Sequence, residues 1–496
     1  MNLFAFSGVT SAAADVTFAV IFTLFTAVTI VAAVWLLIRF IGREEKRSLA
    51  ALTGMIIGLG AIVRLIVAFT VRGYREDIAE IFSVMENGFE DYYADGGVLF
   101  PLTALVYRLM GLITGGFGLD SQSVWMQFFA KLPLIAADAF TAMIMYLLAK
   151  KYLNGFTGAI LAGLYSLCPA FMIASAVWGS AYPIMILGFT LSLYFMLGRN
   201  YPGLTLTFAL TLMTGREALF LIPVFATFVI YSFIKACVAL KSDGENADRK
   251  LPVKLVVYVV VSVLVAYLIS LPAITAYYGA GFFGWIYRFC ILPLVEFEYF
   301  GYNSTGIFVI FGKNGVMLGG SFPSAIFAAI FALLIVGIVL LVYLSKKNRA
   351  NLAFTAAYVL MTLSTYFVGF GAMALSPVLA LLICSFAVIR DKRIFRILLA
   401  AAVAFTVNAC AVMVSAGYLS NAADSLLSSS NAAYSGQTLL SGGVNSVISV
   451  VCAVITVLTH IYFTLTLLDV SVSDRRKLLD GDTGANLRLA LRQFYR

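Results

Sequence analysis

Few residues in this chain could do chemistry, because only 11% of its 496 positions are charged. The first group is Glu76-Asp77, with Glu80 one turn on, in the stretch RGYREDIAEIFSVMENGFEDYYADGGVLFP from Arg72 to Pro101. A carboxylate at a water–lipid boundary is partly desolvated, which raises its basicity enough to take a proton from a hydroxyl. Asp77 is the candidate general base on that argument, and Glu76 is the neighbour able to replace it. The competing reading is a plain helix-start acid, since carboxylates are favoured in a first turn. The second group is Lys131 and Asp138, seven residues and so two turns apart on one helix face. They lie in an apolar segment, where ionisable side chains are costly and usually face a cavity or pair with each other. An interhelical hydrogen bond accounts for Asp138 equally well. Arg64, in an apolar segment, and Arg216-Glu217, which interrupt another, are candidates for holding a lipid phosphate, because a guanidinium fork matches phosphate oxygens. A local Arg216–Glu217 pair or snorkelling explains them as well. Trp178, Tyr182, Tyr302 and Asn303 complete the set of candidate cavity residues. Trp178, Tyr182 and Tyr302, together with Tyr92, Tyr93, Trp285 and Tyr299, also fit an interfacial aromatic belt, which is expected regardless of function. Asn303-Ser304-Thr305 also matches a glycosylation sequon.

The elements that must position these residues are membrane spans. Hydrophobic residues make up 62% of the chain and mean hydropathy is +0.99, which leaves too little polar surface to cover a soluble globule. Apolar runs of about 18 residues or more recur along the chain, the pattern of an all-α polytopic membrane protein. The net charge of +9 does not indicate nucleic acid. The bases fall in short clusters after apolar segments, which is orientation by the positive-inside rule. Six scattered cysteines without a CxxC pair read as small buried residues, and the single histidine, His460, as a packing residue. No metal and no cofactor is expected. No nucleotide-phosphate cradle, zinc-protease or serine-nucleophile motif appears in its required context.

About thirteen spans are predicted: 16–41, 52–71, 124–149, 155–175, 183–198, 201–214, 219–237, 254–275, 324–345, 351–369, 374–390, 394–417 and 444–468. They form one domain over 1–470, followed by a cytoplasmic tail over 471–496. The N-terminus is expected outside and the C-terminus inside. The acidic stretch opens an outer segment over 72–123. In it Ile78, Ile81, Phe82, Met85 and Phe89 recur at three- and four-residue steps, which predicts an amphipathic helix lying on the bilayer with its apolar face in the headgroups and ending at Asn87-Gly88. Phe100–Gly116 is apolar but short, and is read as lying on or dipping into the outer surface, since a full crossing would invert every later basic cluster. Further outer loops are expected over 276–323 and, rich in serine, over 418–443.

Taken in order, GYREDI, NGFEDYY, FPLTALVYRLMG, KLPLIAADAFTAMIMYLLAKKY, AVWGS, LMTGREALFLIPVF and FEYFGYNSTGIF resemble the GT-C superfamily of polyprenyl-phosphate-sugar-dependent glycosyltransferases. Within that superfamily it resembles bacterial relatives of the GPI mannosyltransferases that add the second mannose. The resemblance spans about 57–310 and loosens beyond it. It implies transfer of mannose or glucose from a polyprenyl-phosphate co-substrate to a glycan, glycolipid or protein acceptor on the outer face, without nucleotide sugar or metal. By position, the family's base maps to Asp77, a phosphate-holding cation to Arg216, and its Tyr-Pro-Pro pattern to Phe100-Pro101. The family's WGQxD reads Trp178-Gly179-Ser180-Ala181-Tyr182 here, losing the amide and the acid. Its Thr-Lys-Pro-Gln reads Thr214-Gly215-Arg216-Glu217, and its His-Glu-Arg-Tyr is replaced by Phe370-Gly371-Ala372-Met373-Ala374. A non-catalytic GT-C-like protein that binds lipid carriers, and a lipid or sugar transporter using Lys131 and Asp138, stand as alternatives from other classes.

Overall fold

The computed structural model describes residues 12–40, 49–71, 73–94, 97–119, 124–242, 250–277, 281–297, 299–318, 321–346, 348–415, 443–473 and 475–477. The serine-rich stretch 418–443 and the tail 471–496 lie outside these residues except at their ends. The described chain is helical, with isolated bridges between residues 299–302, 314–317 and 371 in place of strands. In order the helices are α1 (Ala12–Phe40), α2 (Ala50–Thr70), α3 (Arg75–Ala94), α4 (Pro101–Gly116), α5 (Val124–Tyr152), α6 (Gly155–Leu167) and α7 (Pro169–Met172). A π-helical segment, Ile173–Trp178, continues α7. Then come α8 (Tyr182–Gly198), α9 (Tyr201–Leu212), a 3-10 turn at Arg216–Leu221, α10 (Ile222–Ser242) and α11 (Leu251–Tyr277). After them a short helical run, α12 (Phe282–Ile286), a second π segment (Tyr287–Ile291) and α13 (Leu292–Val295), leads to α14 (Ile307–Ile310). The chain closes with α15 (Ser321–Lys346), α16 (Arg349–Tyr366), α17 (Ser376–Ile389), α18 (Arg393–Ser415) and α19 (Gly443–Ser471).

Among the described residues nine helices are long and apolar enough to cross a membrane, ten if α6 and α7 with its π segment, bent by 60°, count as one broken span. The chain is thus an all-α, multi-pass membrane protein. The predicted spans 183–198, 201–214 and 351–369 are helical but do not reach that standard, because α8 and α9 are too short and α16 is less apolar. α17 is buried along its whole length at the centre. α1, α2, α11 and α15 expose rows of large apolar side chains such as Val28, Met55, Val260 and Leu333. In water such rows would be untenable; a lipid surround covers them without cost.

The acidic stretch departs from its sequence reading in one respect and keeps to it in another. First, the face made by Ile78, Ile81, Phe82 and Met85 is buried against protein, chiefly Tyr107 and Ala104 of α4, Met126, Ala130 and Leu134 of α5, and Ile274 of α11. The amphipathic pattern records a buried face but cannot say whether lipid or protein buries it. Second, the first helix ends at Gly88 as expected, at φ +84°, ψ −170°, and a further helical stretch follows across this kink to Ala94. Arg108 of α4 meets the break, its guanidinium donating to the carbonyl of Met85 at 3.1 Å. A second helix therefore supplies the partner that the interrupted ladder lacks.

Candidate functional site

Asp77 stands in the first turn of α3, three residues past Tyr74, where the chain has just left α2. Its Oδ2 accepts the indole N–H of Trp178 at 3.0 Å. Trp178 is the last residue of the first π segment, which turns sharply at Gly179 in the left-handed conformation, φ +81°. A side chain there would also strike Ile78, 2.6 Å from the position of a Cβ. Trp178 stacks on Tyr74 with ring centroids 4.3 Å apart, and the Tyr74 amide donates to the Trp178 carbonyl at 2.7 Å. Residues about a hundred apart in the chain thus form one unit around the carboxylate.

A cavity of about 560 Å³ opens beside it. Its wall includes Asp77, Tyr182, Arg216, Glu217 and Tyr302, five of the residues singled out from sequence. Tyr182 donates to Glu217 at 2.7 Å, and Arg216 approaches the same carboxylate at 3.7 Å. The guanidinium lies between the rings of Phe297 and Phe370, 5.1 Å from each centroid, and donates to the carbonyl of Gly369. Cation–π contacts hold an arginine in one orientation while leaving its charge intact. The three segments Ser180–Tyr182, Thr214–Glu217 and Gly369, separate in sequence, therefore meet at one opening.

The cavity also uses Glu80, noted in the sequence only beside Asp77, and residues that the sequence did not single out. Glu80 lines it and accepts from the Tyr92 hydroxyl at 2.6 Å and from the Val98 amide at 3.2 Å. These bonds strap residues 97–99 onto α3, and Arg288 completes the strap by donating to the Gly97 carbonyl at 3.0 Å. Burial pushes the Glu80 carboxyl above the usual carboxylate range, against the pull of its hydrogen bonds to Tyr92, Val98 and Leu99. Arg288, Glu296 and Phe297 come from the 276–323 segment, expected to be irregular but built from short helical turns. Glu80 carried a signal, one helical turn from Asp77; Arg288 and Glu296 had none, because no local periodicity ties that segment to α3.

Other candidates lie elsewhere. Arg64 is not at a lipid phosphate: it is buried, and its Nε donates to Asp138 at 3.0 Å while its other nitrogens reach the carbonyls of Ser166 and Tyr165. Asp138 also accepts from Tyr165 at 2.7 Å and Ser175 at 2.5 Å. Lys131 and Asp138 do not pair with each other, although they share a helix; Lys131 donates instead to the carbonyls of Val71, Ala176 and Val177. Partners on neighbouring helices were closer than the one on the same face. Asn303 is 1% exposed, with its carbonyl bonded to Asn408 and its amide 3.5 Å from the Tyr74 hydroxyl. A side chain so enclosed is not reachable by a glycosylating enzyme, so the sequon is not usable in the folded protein. The Glu76 side chain lies outside the described residues. His460 is buried against Tyr358 and bonded to Thr362. Among the described residues no three His, Cys, Asp or Glu side chains are grouped to hold a metal ion.

A comparison with protein-family models and with curated proteins finds no match for this chain.

Proposed function

We propose that this protein is an integral-membrane hexosyltransferase that moves mannose or glucose from a polyprenyl-phosphate donor to an acceptor hydroxyl at the outer face. One observation carries the reading: Asp77, held by Trp178, shares a cavity with Arg216, held between two aromatic rings. A fixed carboxylate and a fixed guanidinium facing one space suit a displacement in which a hydroxyl is deprotonated and a phosphate leaves. Asp77 takes the acceptor's proton as its oxygen bonds to the anomeric carbon. The bond from that carbon to phosphate breaks, and Arg216 holds the lipid phosphate that departs with the electron pair. Glu217 and Tyr182 are suited to sugar hydroxyls, and the cavity falls within the usual size for a small-ligand site, about 300–1,000 Å³. The acceptor is a glycan, glycolipid or protein.

The same reading places the cavity outside the cell membrane, with about thirteen crossings, the N-terminus outside and the C-terminus in the cytoplasm. Its support is the recurrence of lysine and arginine at one set of helix ends, including Lys150, Lys151, Lys346 and Arg390.

A direct test is transfer from radiolabelled polyprenyl-phosphate mannose and glucose to membrane acceptors by wild type and Asp77→Asn. Label incorporated by wild type and lost in the variant supports the reading; equal incorporation by both removes Asp77 as the base. A second reading, a carrier-binding protein without transfer, is favoured by Ser180 and Tyr182, which bring no charge to the wall where the resemblance expects an amide and an acid. It predicts carrier binding that weakens in Arg216→Ala, with no label moved.

A further inference from the structure

Lys131 is fully buried within α5, and its Nζ donates to Val71 and Ala176 at 2.8 Å and to Val177 at 3.4 Å. A lysine ammonium carries three donors, and three carbonyls meet them here. None of these acceptors belongs to α5. Val71 ends α2, and Ala176 and Val177 belong to the last turn of the π segment. Carbonyls at helix ends have no partner within their own helix. A buried group that satisfies carbonyls at two such ends ties the ends together.

Both tied ends lead directly to the site. Six residues beyond Val71 stands Asp77, and the residue after Val177 is Trp178. The two strands of chain stay joined through the Tyr74–Trp178 backbone bond and ring stack until the indole reaches the carboxylate. The lysine stem is packed from the other side: a Cβ on Gly179 would lie 3.3 Å from its Cε. We infer that Lys131 is a positioning residue that sets the Asp77–Trp178 hydrogen bond by clamping the ends of α2 and the π segment. The functional half of this inference rests on Asp77 being the base; the structural half does not.

The test uses the full chain in detergent, with its four tryptophans replaced by 5-fluorotryptophan and followed by fluorine NMR. The Trp178 signal is identified by its loss in Trp178→Phe, and in the wild-type background it shifts on Asp77→Asn. In Lys131→Met that response is expected to vanish while the signals of Trp35, Trp125 and Trp285 stay in place. Lys131→Arg, which keeps donors, is expected to restore part of it. A Trp178 signal in Lys131→Met that answers to Asp77→Asn as the wild type does overturns the inference. Should Lys131→Met fail to fold, Lys131→Gln, which keeps two of the three donors and no charge, is read in the same way. In the transfer assay Lys131→Met is expected to lower kcat by about tenfold, the effect of losing the bond it sets, with KM for the donor unchanged; an unchanged kcat overturns the functional half of the inference. A wild type that transfers nothing, with the fluorine result as expected, sinks the transferase reading and leaves the clamp standing.

Discussion

At Asp77 an indole N–H fixes one carboxylate oxygen without neutralising the charge, so the group is oriented and still able to accept a proton. Trp178→Phe keeps a ring to stack on Tyr74 but removes the donor. It is expected to lower kcat about tenfold, the equivalent of about 1.4 kcal/mol, with carrier binding retained; an unaltered kcat would show that the bond orients nothing. Glu80 makes a separate prediction. Its carboxyl is raised by burial, so the folded protein keeps this proton to higher pH than the unfolded chain. That contribution to stability is complete below the ordinary carboxylate value and is lost as pH rises through the raised one. Glu80→Gln keeps an oxygen for Tyr92 and Val98 and has no charge to desolvate. The thermal midpoint of the variant should therefore fall less than that of wild type as pH is raised above the ordinary carboxylate value. Parallel curves would refute this.

Each element that carries the site is irregular where the site needs it. One π segment ends in Trp178, which bonds Asp77, and a second, containing Arg288, lines the cavity; such segments redirect side chains at a small loss of ladder geometry. α3 is broken at Gly88 in a conformation open essentially to glycine, so Gly88→Ala should cost about 1–3 kcal/mol of stability. Thermal unfolding in detergent checks this, and an unchanged midpoint would mean that α3 has another way to bend. Behind the site, Arg64 of α2 and Asp138 of α5 form a buried pair supported by Tyr165 and Ser175. Removing one partner leaves a charge in an apolar interior. Arg64→Met is expected to cost about 3–5 kcal/mol, whereas Arg64→Met with Asp138→Leu together should recover most of it. If the double variant is no better than the single one, the pair is not what stabilises this contact.

For the whole molecule, the spread of apolar surface places lipid against α1, α2, α11 and α15 and keeps α17 from it. The proposed orientation is open to labelling with a membrane-impermeant thiol reagent in a background freed of the six native cysteines. Cysteines introduced at Phe283 and Lys150 should react from opposite sides of sealed vesicles, Phe283 from the outer one. Labelling of both from one side would overturn the orientation, and with it the outward-facing cavity.

How much of this was legible in the sequence follows from the range over which each signal acts. Hydropathy is a local property, so the helices of an all-α membrane protein could be read directly, down to short α8 and α9. Asp77, Tyr182, Arg216, Glu217 and Tyr302 could be picked out because polar side chains are conspicuous in so apolar a chain. Pairing is not local. Lys131 and Asp138 share a helix face, yet each is satisfied by a different neighbouring element, and Arg64 proved to be the partner of Asp138. Nor does a periodic apolar face state what covers it, since α3 reads alike whether lipid or α4 and α5 lie against it. Arg288 and Glu296 reach the cavity only because the 281–297 segment folds back over α3. The sequence alone determined the class of element and the supply of reactive side chains; the tertiary structure decided which of them meet, because burial and hydrogen bonding are satisfied between helices, not along them.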